Sequence, residues 1–591
     1  MSIDAVAVAR PRSSTRTWRL HLHRPSPVVL CFVVSLLVYE AAACYVSIHG
    51  NTASLAGDGV SRVETANAIL FSRDPHLAAI GFVWGPIPIL ALLPLAALKP
   101  IWPALVTSAF AGNLVSAVFM AGAVAVMLRL LTDLGLSRWL RWALTAAFAL
   151  NPMIVLYAAN SMSEAYFLFF LLLVARELHL WLRTRQTGRL VATGFYLGLA
   201  YLTRYESGAA AIAVTGIVGL ATFIASTGGF RRRIRPALLD SIIVAAPFLV
   251  AFAGWAIASW LITGVPFQQF SSAYGNAAQI QANGLQTPST LAQTVTLAEQ
   301  GIQWMLAFEP FLPIILVACL LVVVWRRDWT ALGAPAVLGA VLAFMVYVHM
   351  TVKVVPSLRY YIAVIPLVVL LVGIVLSSRS DTAPGVPVSQ AGGHPSAPPS
   401  SRLASIGGAR GDARLGWGRV ATVTVALLAM AATIPAGLMT ITNSADNPDD
   451  AVAVQALVAL GPLTQQQQQA SLRFVVDRQV SEYMDSMRLG RGTVLIDNFI
   501  GFVVVLSSSN LDQYVTTPDL DFQQVLADPA ANGVQYVLIP PNTGLGTLDA
   551  INRAYPDAYA TGKGIGTLVK TFQDHSDLGH NWRLYRVTSS S

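Results

Sequence analysis

Asp58, Arg62 and Glu64 lie within seven residues of one another in Leu55-Ala56-Gly57-Asp58-Gly59-Val60-Ser61-Arg62-Val63-Glu64, in a chain where only 12% of residues are charged. A carboxylate can take the proton of an attacking hydroxyl, and a guanidinium can hold two phosphate oxygens at once without losing its charge. Gly57 and Gly59 flank the acid and let the backbone bend, so that a short carboxylate can point into a cavity. The competing reading is structural, because Asp between glycines is common turn chemistry.

Other charged groups interrupt apolar surroundings. Glu164 follows Asn151-Pro152 and Ser161-Met162-Ser163, where one apolar run closes and the next opens. Arg204 and Glu206 stand in Leu202-Thr203-Arg204-Tyr205-Glu206 and split an apolar hairpin, while Lys353 and Arg359 precede Tyr360-Tyr361 and Ile365-Pro366-Leu367. An ionised side chain at membrane depth costs about 2.5 to 3.5 kcal/mol on insertion scales, so each retained one needs a reason. Binding a lipid phosphate is one reason; a structural ion pair between neighbouring helices is the other.

Those residues are positioned by a chain that is 55% hydrophobic over 591 residues with mean hydropathy +0.59, and its runs of about 20 uncharged residues read as a polytopic membrane protein. The net charge of +8 would suggest nucleic acid in a soluble protein, but here the arginines sit in short loops between apolar runs, and no nucleic-acid partner is expected. Cys31, Cys44 and Cys319 all fall inside apolar runs, which leaves no disulfide framework and no thiolate metal site.

Spans are expected near 28–48, 104–130, 141–158, 164–182, 190–204, 206–226, 240–262, 310–325, 331–350, 359–378 and 419–440, about eleven in all. The arginine-rich loops then share one side with the basic tail 1–27, which places the N-terminus in and the C-terminus out. Counting 82–98 as a span would break that pattern, so it reads as an interfacial helix within a first outer loop 49–103. The stretch 263–309 has no Lys or Arg and reads as a long outer loop, a lid over the site. The Pro- and Gly-rich stretch 379–418 reads as a disordered cytoplasmic linker between parts of the membrane domain 28–440. Beyond it, 441–591 has strand-like runs at Thr493–Asp497, Val534–Pro540 and Asn581–Arg586 with helical patterns between, a small extracytoplasmic α/β domain.

An acid about ten residues beyond the first span, followed at short gaps by Arg and Glu, resembles the first-loop motif of the GT-C membrane glycosyltransferases. The branch it resembles contains the protein O-mannosyltransferases and lipid A aminoarabinose transferases. Glu164 is similar to that family's second acidic position, Leu202-Thr203-Arg204 to its Leu-Thr-Arg or Leu-Thr-Lys motif, and Arg359-Tyr360 to its Arg-Tyr pattern. The chain departs from the aminoarabinose branch at Val83-Trp84-Gly85-Pro86, where that branch carries an acidic and a basic residue before the Pro.

The resemblance implies an inverting glycosyltransferase of a bacterial plasma membrane that moves a sugar, mannose or arabinose, from a polyprenyl-phosphate donor to an extracytoplasmic acceptor. Asp58, Glu164 and Glu64 would be the catalytic acids, and Arg62, Arg204, Arg359 and Lys353 would hold the donor phosphate. No cofactor is assigned; a divalent metal stays open, with only Asp74 and His76 in reach as ligands. The alternative is a secondary transporter or lipid-linked-sugar flippase, which would place its ionisable groups near the membrane midplane on broken helices and often shows a repeat between halves.

Overall fold

In the computed structural model the described residues are 26–49, 57–377, 412–447 and 450–588. The basic tail up to residue 25 and the linker up to residue 411 lie outside them.

Each expected span is mostly helix among the described residues. Among the described residues, eight helices are long and apolar enough to cross a membrane: Pro27–His49, Phe110–Asp133, Glu164–Thr184, Ser207–Ala225, Phe230–Thr263, Trp329–Met350, Leu358–Leu376 and Val420–Ile441. Two more segments are bent pairs, Arg138–Ala149 with Pro152–Ala158 and Leu291–Phe308 with Leu312–Arg326, broken by 63° and 83°. Among the described residues that makes eight, or ten with each bent pair as one span, against the eleven expected. The expected span 190–204 holds Thr187–Tyr201, which has 15 residues and by itself spans about 22 Å at 1.5 Å per residue, short of the ~30 Å hydrocarbon core. Arg204 just beyond it nevertheless touches Glu164, the first residue of the preceding helix, so the chain retraces the length of Glu164–Thr184.

Phe110–Asp133, Glu164–Thr184 and Leu358–Leu376 form the buried centre of the bundle. Phe230–Thr263 and Val420–Ile441 lie at its rim and turn Leu249, Val250, Leu261, Val425 and Leu428 outward, as helices facing hydrocarbon do. The segment 82–98 holds only the 10-residue helix Ile87–Ala96 with Pro94 inside it. That is too short to cross, and the helix packs against Gly57–Phe71 instead.

The expected outer loop 263–309 is largely helical. Leu291–Phe308 is opened by a capping box in which Thr290 accepts from the Gln293 N–H and the Gln293 side chain reaches back. Upstream, the Tyr274 hydroxyl donates to Asp497 at 2.8 Å and its ring lies 5.0 Å from that of Phe499.

Residues 494–587 form a five-stranded sheet, β1 (Val494–Leu495), β2 (Tyr514–Val515), β3 (Tyr536–Ile539), β4 (Gly566–Phe572) and β5 (Trp582–Val587), in the order β2-β1-β3-β5-β4. β2, β1 and β3 run parallel; β5 and β4 are antiparallel. Alternate residues serve the two faces: Val494, Leu538 and Leu584 join one core, and Leu495, Val537, Ile539 and Tyr585 the other. The α/β reading holds, with β2 and β4 added. The sheet unit is continuous with the helical bundle, because Phe474, Phe502, Val503 and Leu506 belong to the bundle's own buried core.

Candidate active site

The stretch read as a loop is a helix, Gly57–Phe71, called here the site helix. Asp58 in its first turn favours the helix dipole, and Val60, Val63 and Ala66 give it a buried stripe. Four residues apart, Asp58 and Arg62 share a face; the Arg62 guanidinium donates to the Asp58 carbonyl at 3.1 Å. Glu64, six positions on from Asp58, lies about 240° around the helix and faces elsewhere. Gly57 is needed for packing as much as for bending, since a Cβ there would sit 3.3 Å from the Phe502 ring.

The turn before Glu164 is pinned to two helices. Ser161, at φ +65°, donates its hydroxyl to the Gly59 carbonyl at 3.0 Å, and its N–H donates to Ser116 at 3.2 Å. Gly112 makes room, because a Cβ at that position would overlap the Ser161 hydroxyl. Glu164 is thereby held at the start of its helix, 1% exposed.

Four of the seven expected residues converge directly. Arg359 donates to the Asp58 carboxylate at 2.9 Å and lies 3.9 Å from Glu164. Arg204 donates to Glu164 at 2.6 Å and pairs with Glu206 at 2.6 Å. Arg62 joins through Met162: the thioether sulfur is 3.7 Å from Arg62 and 3.9 Å from Arg359. The Tyr360 ring lies between Arg359 and Arg204, 5.3 and 5.1 Å from their guanidinium carbons. Three guanidiniums thus stand in a row with Met162 and Tyr360 as spacers, at one end of the bundle.

Arg204 is held by two carboxylates and Arg359 closely by one and at 3.9 Å by a second, whereas Arg62 forms no ion pair among the described residues and keeps only a carbonyl and a sulfur. Asp58 keeps 47% of its side chain open to solvent although protein surrounds it. Burial would raise its carboxyl, but Arg359, Arg62 and Arg204 outweigh that and hold it below the usual carboxylate range.

Lys353 and Glu64 fall outside the cluster. Lys353 is exposed and makes no ion pair among the described residues. Glu64 is 1% exposed and accepts from the Asn498 amide at 3.3 Å; burial pushes its carboxyl up to about 8, against opposing hydrogen bonds from Asn498 and Thr65. A neutral acid under the helix is no partner for the cluster. Asp74 accepts from the Leu520 N–H at 3.1 Å, and no three His, Cys, Asp or Glu side chains gather as a metal site would among the described residues.

Met162, Tyr360, Asn498 and Phe502 were not singled out from the sequence. For Phe502 a signal exists, because Asn498–Ser507 is too uniformly apolar for a helix buried on one face.

Arg204 sets a stability prediction. Arg204→Ala leaves the buried Glu164 with only Arg359, 3.9 Å away, and breaking a buried pair from one side costs about 3–5 kcal/mol. Thermal unfolding in detergent should show a large drop in Tm, with Arg204→Ala, Glu164→Gln recovering part of it; an unchanged Tm for the single variant contradicts this.

The bundle, the site at one end of it and the C-terminal sheet together form a fold shared with a solved membrane-protein structure. Among solved structures, the chain is similar to the crystal structure of ArnT from Cupriavidus metallidurans bound to undecaprenyl phosphate, with 13% identity, 95% of this chain and 98% of that one covered, and a TM-score of 0.50. The apo structure of the same protein aligns at 12% identity, equal coverage and a TM-score of 0.49. The archaeal oligosaccharyltransferase AglB from Archaeoglobus fulgidus, in complex with an inhibitory peptide and a dolichol-phosphate, aligns at 11% identity over 87% of this chain and 69% of that one, TM-score 0.42. No family model and no curated protein sequence matches the chain.

Proposed function

We propose that the protein is an inverting glycosyltransferase that takes a sugar from a polyprenyl-phosphate donor and passes it to an extracytoplasmic acceptor at a bacterial plasma membrane. The observation that carries this reading is the row of Arg62, Arg359 and Arg204 beside one half-exposed carboxylate, Asp58. The fold shared with ArnT, whose crystal structure holds undecaprenyl phosphate, supports the same donor class.

In this reading the donor phosphate sits against Arg62 and Arg359. Arg204 is held by Glu164 and Glu206 and serves mainly to fix Glu164. An acceptor hydroxyl oxygen attacks the anomeric carbon from the side opposite the phosphate, the sugar–oxygen bond to phosphate breaks, and its electron pair leaves on the phosphate. Asp58 takes the hydroxyl proton, and a phosphate needs no acid to help it depart, so one carboxylate suffices where glycosidases need two. Asp58 is a weak base while Arg359 grips it. A phosphate that draws Arg359 away releases the carboxylate, which ties base strength to donor occupancy. Collection of the charged groups at one end of the bundle supports transfer over the transporter or flippase reading.

Two measurements test this. Purified protein should bind undecaprenyl phosphate and lose that binding in Arg62→Ala; equal binding by both contradicts the phosphate site. For sidedness, a cysteine at Gln281 should react with a membrane-impermeant thiol reagent in intact cells, and one at Ser389 should not; the reverse pattern moves the site to the cytoplasm.

A further inference from the structure

The face of the site helix turned away from the arginines is gripped by the C-terminal domain at three levels. At the first residue, the Phe502 ring packs on Gly57, itself 8% exposed and set edge-on to Phe474 at 5.7 Å. About two turns on, Asn498 donates to the buried Glu64. Past the last turn, Arg73 pairs with Asp519 at 2.9 Å and with Asp521, while Leu520 N–H caps Asp74.

We propose that the C-terminal domain is a positioning clamp for the site helix, with Asn498 and Phe502 as positioning residues that fix the turn carrying Asp58 and Arg62. This rests on the transfer reading above. Asn498 and Phe502 lie on one helix, Asn498–Ser507, whose start is capped by Asp497 accepting from the Phe499 N–H at 2.8 Å, so the two grips move as one body. Glu64 fits the clamp as a neutral acid, because its burial pushes the carboxyl up to about 8 and it pairs with an uncharged amide rather than with a cation. Placement matters because a shift of about 1 Å in a reacting group can cost about 10²-fold in rate.

The test uses the full-length protein in detergent and follows two readouts in Asn498→Ala and Phe502→Ala, with Phe502→Leu as the conservative control. Amide exchange over 57–64 should rise about tenfold or more while the Phe110–Asp133 helix keeps its protection, which separates a loosened turn from general unfolding. The transfer rate from the active polyprenyl-phosphate sugar should fall about tenfold or more and recover to within about threefold in Phe502→Leu. Exchange that stays at the wild-type level overturns the clamp, and raised exchange with an unchanged rate overturns its positioning role. If wild-type protein transfers no sugar from any such donor, the transfer reading falls, and exchange alone then decides whether the clamp exists.

Discussion

Asp58→Asn should lower sugar transfer by about 10²- to 10⁴-fold, the usual worth of a positioned general base, while leaving polyprenyl-phosphate affinity unchanged or slightly tighter. Asparagine keeps the size of the side chain and can still accept a hydrogen bond from Arg359, but it cannot take the hydroxyl proton. It also removes the negative charge that now holds Arg359 at 2.9 Å, which frees that guanidinium for phosphate. Donor binding and turnover measured on the same purified variant check both halves. A variant that transfers at near wild-type rate ends the assignment of Asp58 as base; one that loses donor binding instead makes Asp58 part of the binding site.

The second large effect is expected at Arg62 and Arg359. Each loses one charge-assisted contact to phosphate when cut to Ala, about 1.5 to 3 kcal/mol, or roughly ten- to 150-fold in donor affinity. Arg62 should show the larger loss, since no carboxylate competes for it, whereas Arg359 must first leave Asp58. Arg62→Lys should recover little, because an ammonium cannot grip two oxygens in one plane. Titration of each variant with undecaprenyl phosphate reads this directly; equal affinities for wild type and Arg62→Ala would contradict the assignment.

The membrane helices were legible because hydrocarbon leaves few alternatives: a run of apolar residues long enough to cross must satisfy its backbone internally. The site was legible at the level of residue types. A charge among apolar neighbours is costly, so Asp58, Glu164, Arg204 and Arg359 stood out before any geometry. Glu64 stood out for the same reason and misled, because its closeness to Asp58 along the chain hides the rotation of about 240° that separates their faces once the stretch is helical. The two glycines made that stretch look like a loop, although Gly57 also seats Phe502. Met162 and Tyr360 carry no charge and gave no warning that they space three arginines. Asn498 reaches Glu64 across 434 positions, a contact that no local pattern encodes. The lid expected at 263–309 became helices plus a tether from Tyr274 to Asp497 because Thr290 and Gln293 form a capping box, a start signal that an overall polar composition obscured.

The central claim is sugar transfer from a lipid phosphate, and the direct measurement is incubation of the purified full-length protein, with extracted cell-envelope acceptors, against a panel of radiolabelled polyprenyl-phosphate sugars. One donor should lose its label to a product of inverted anomeric configuration, with polyprenyl phosphate released in equal amount and Asp58→Asn nearly silent. Label that stays on the lipid with every donor, while the same protein in vesicles moves the intact donor from one leaflet to the other, would contradict the account.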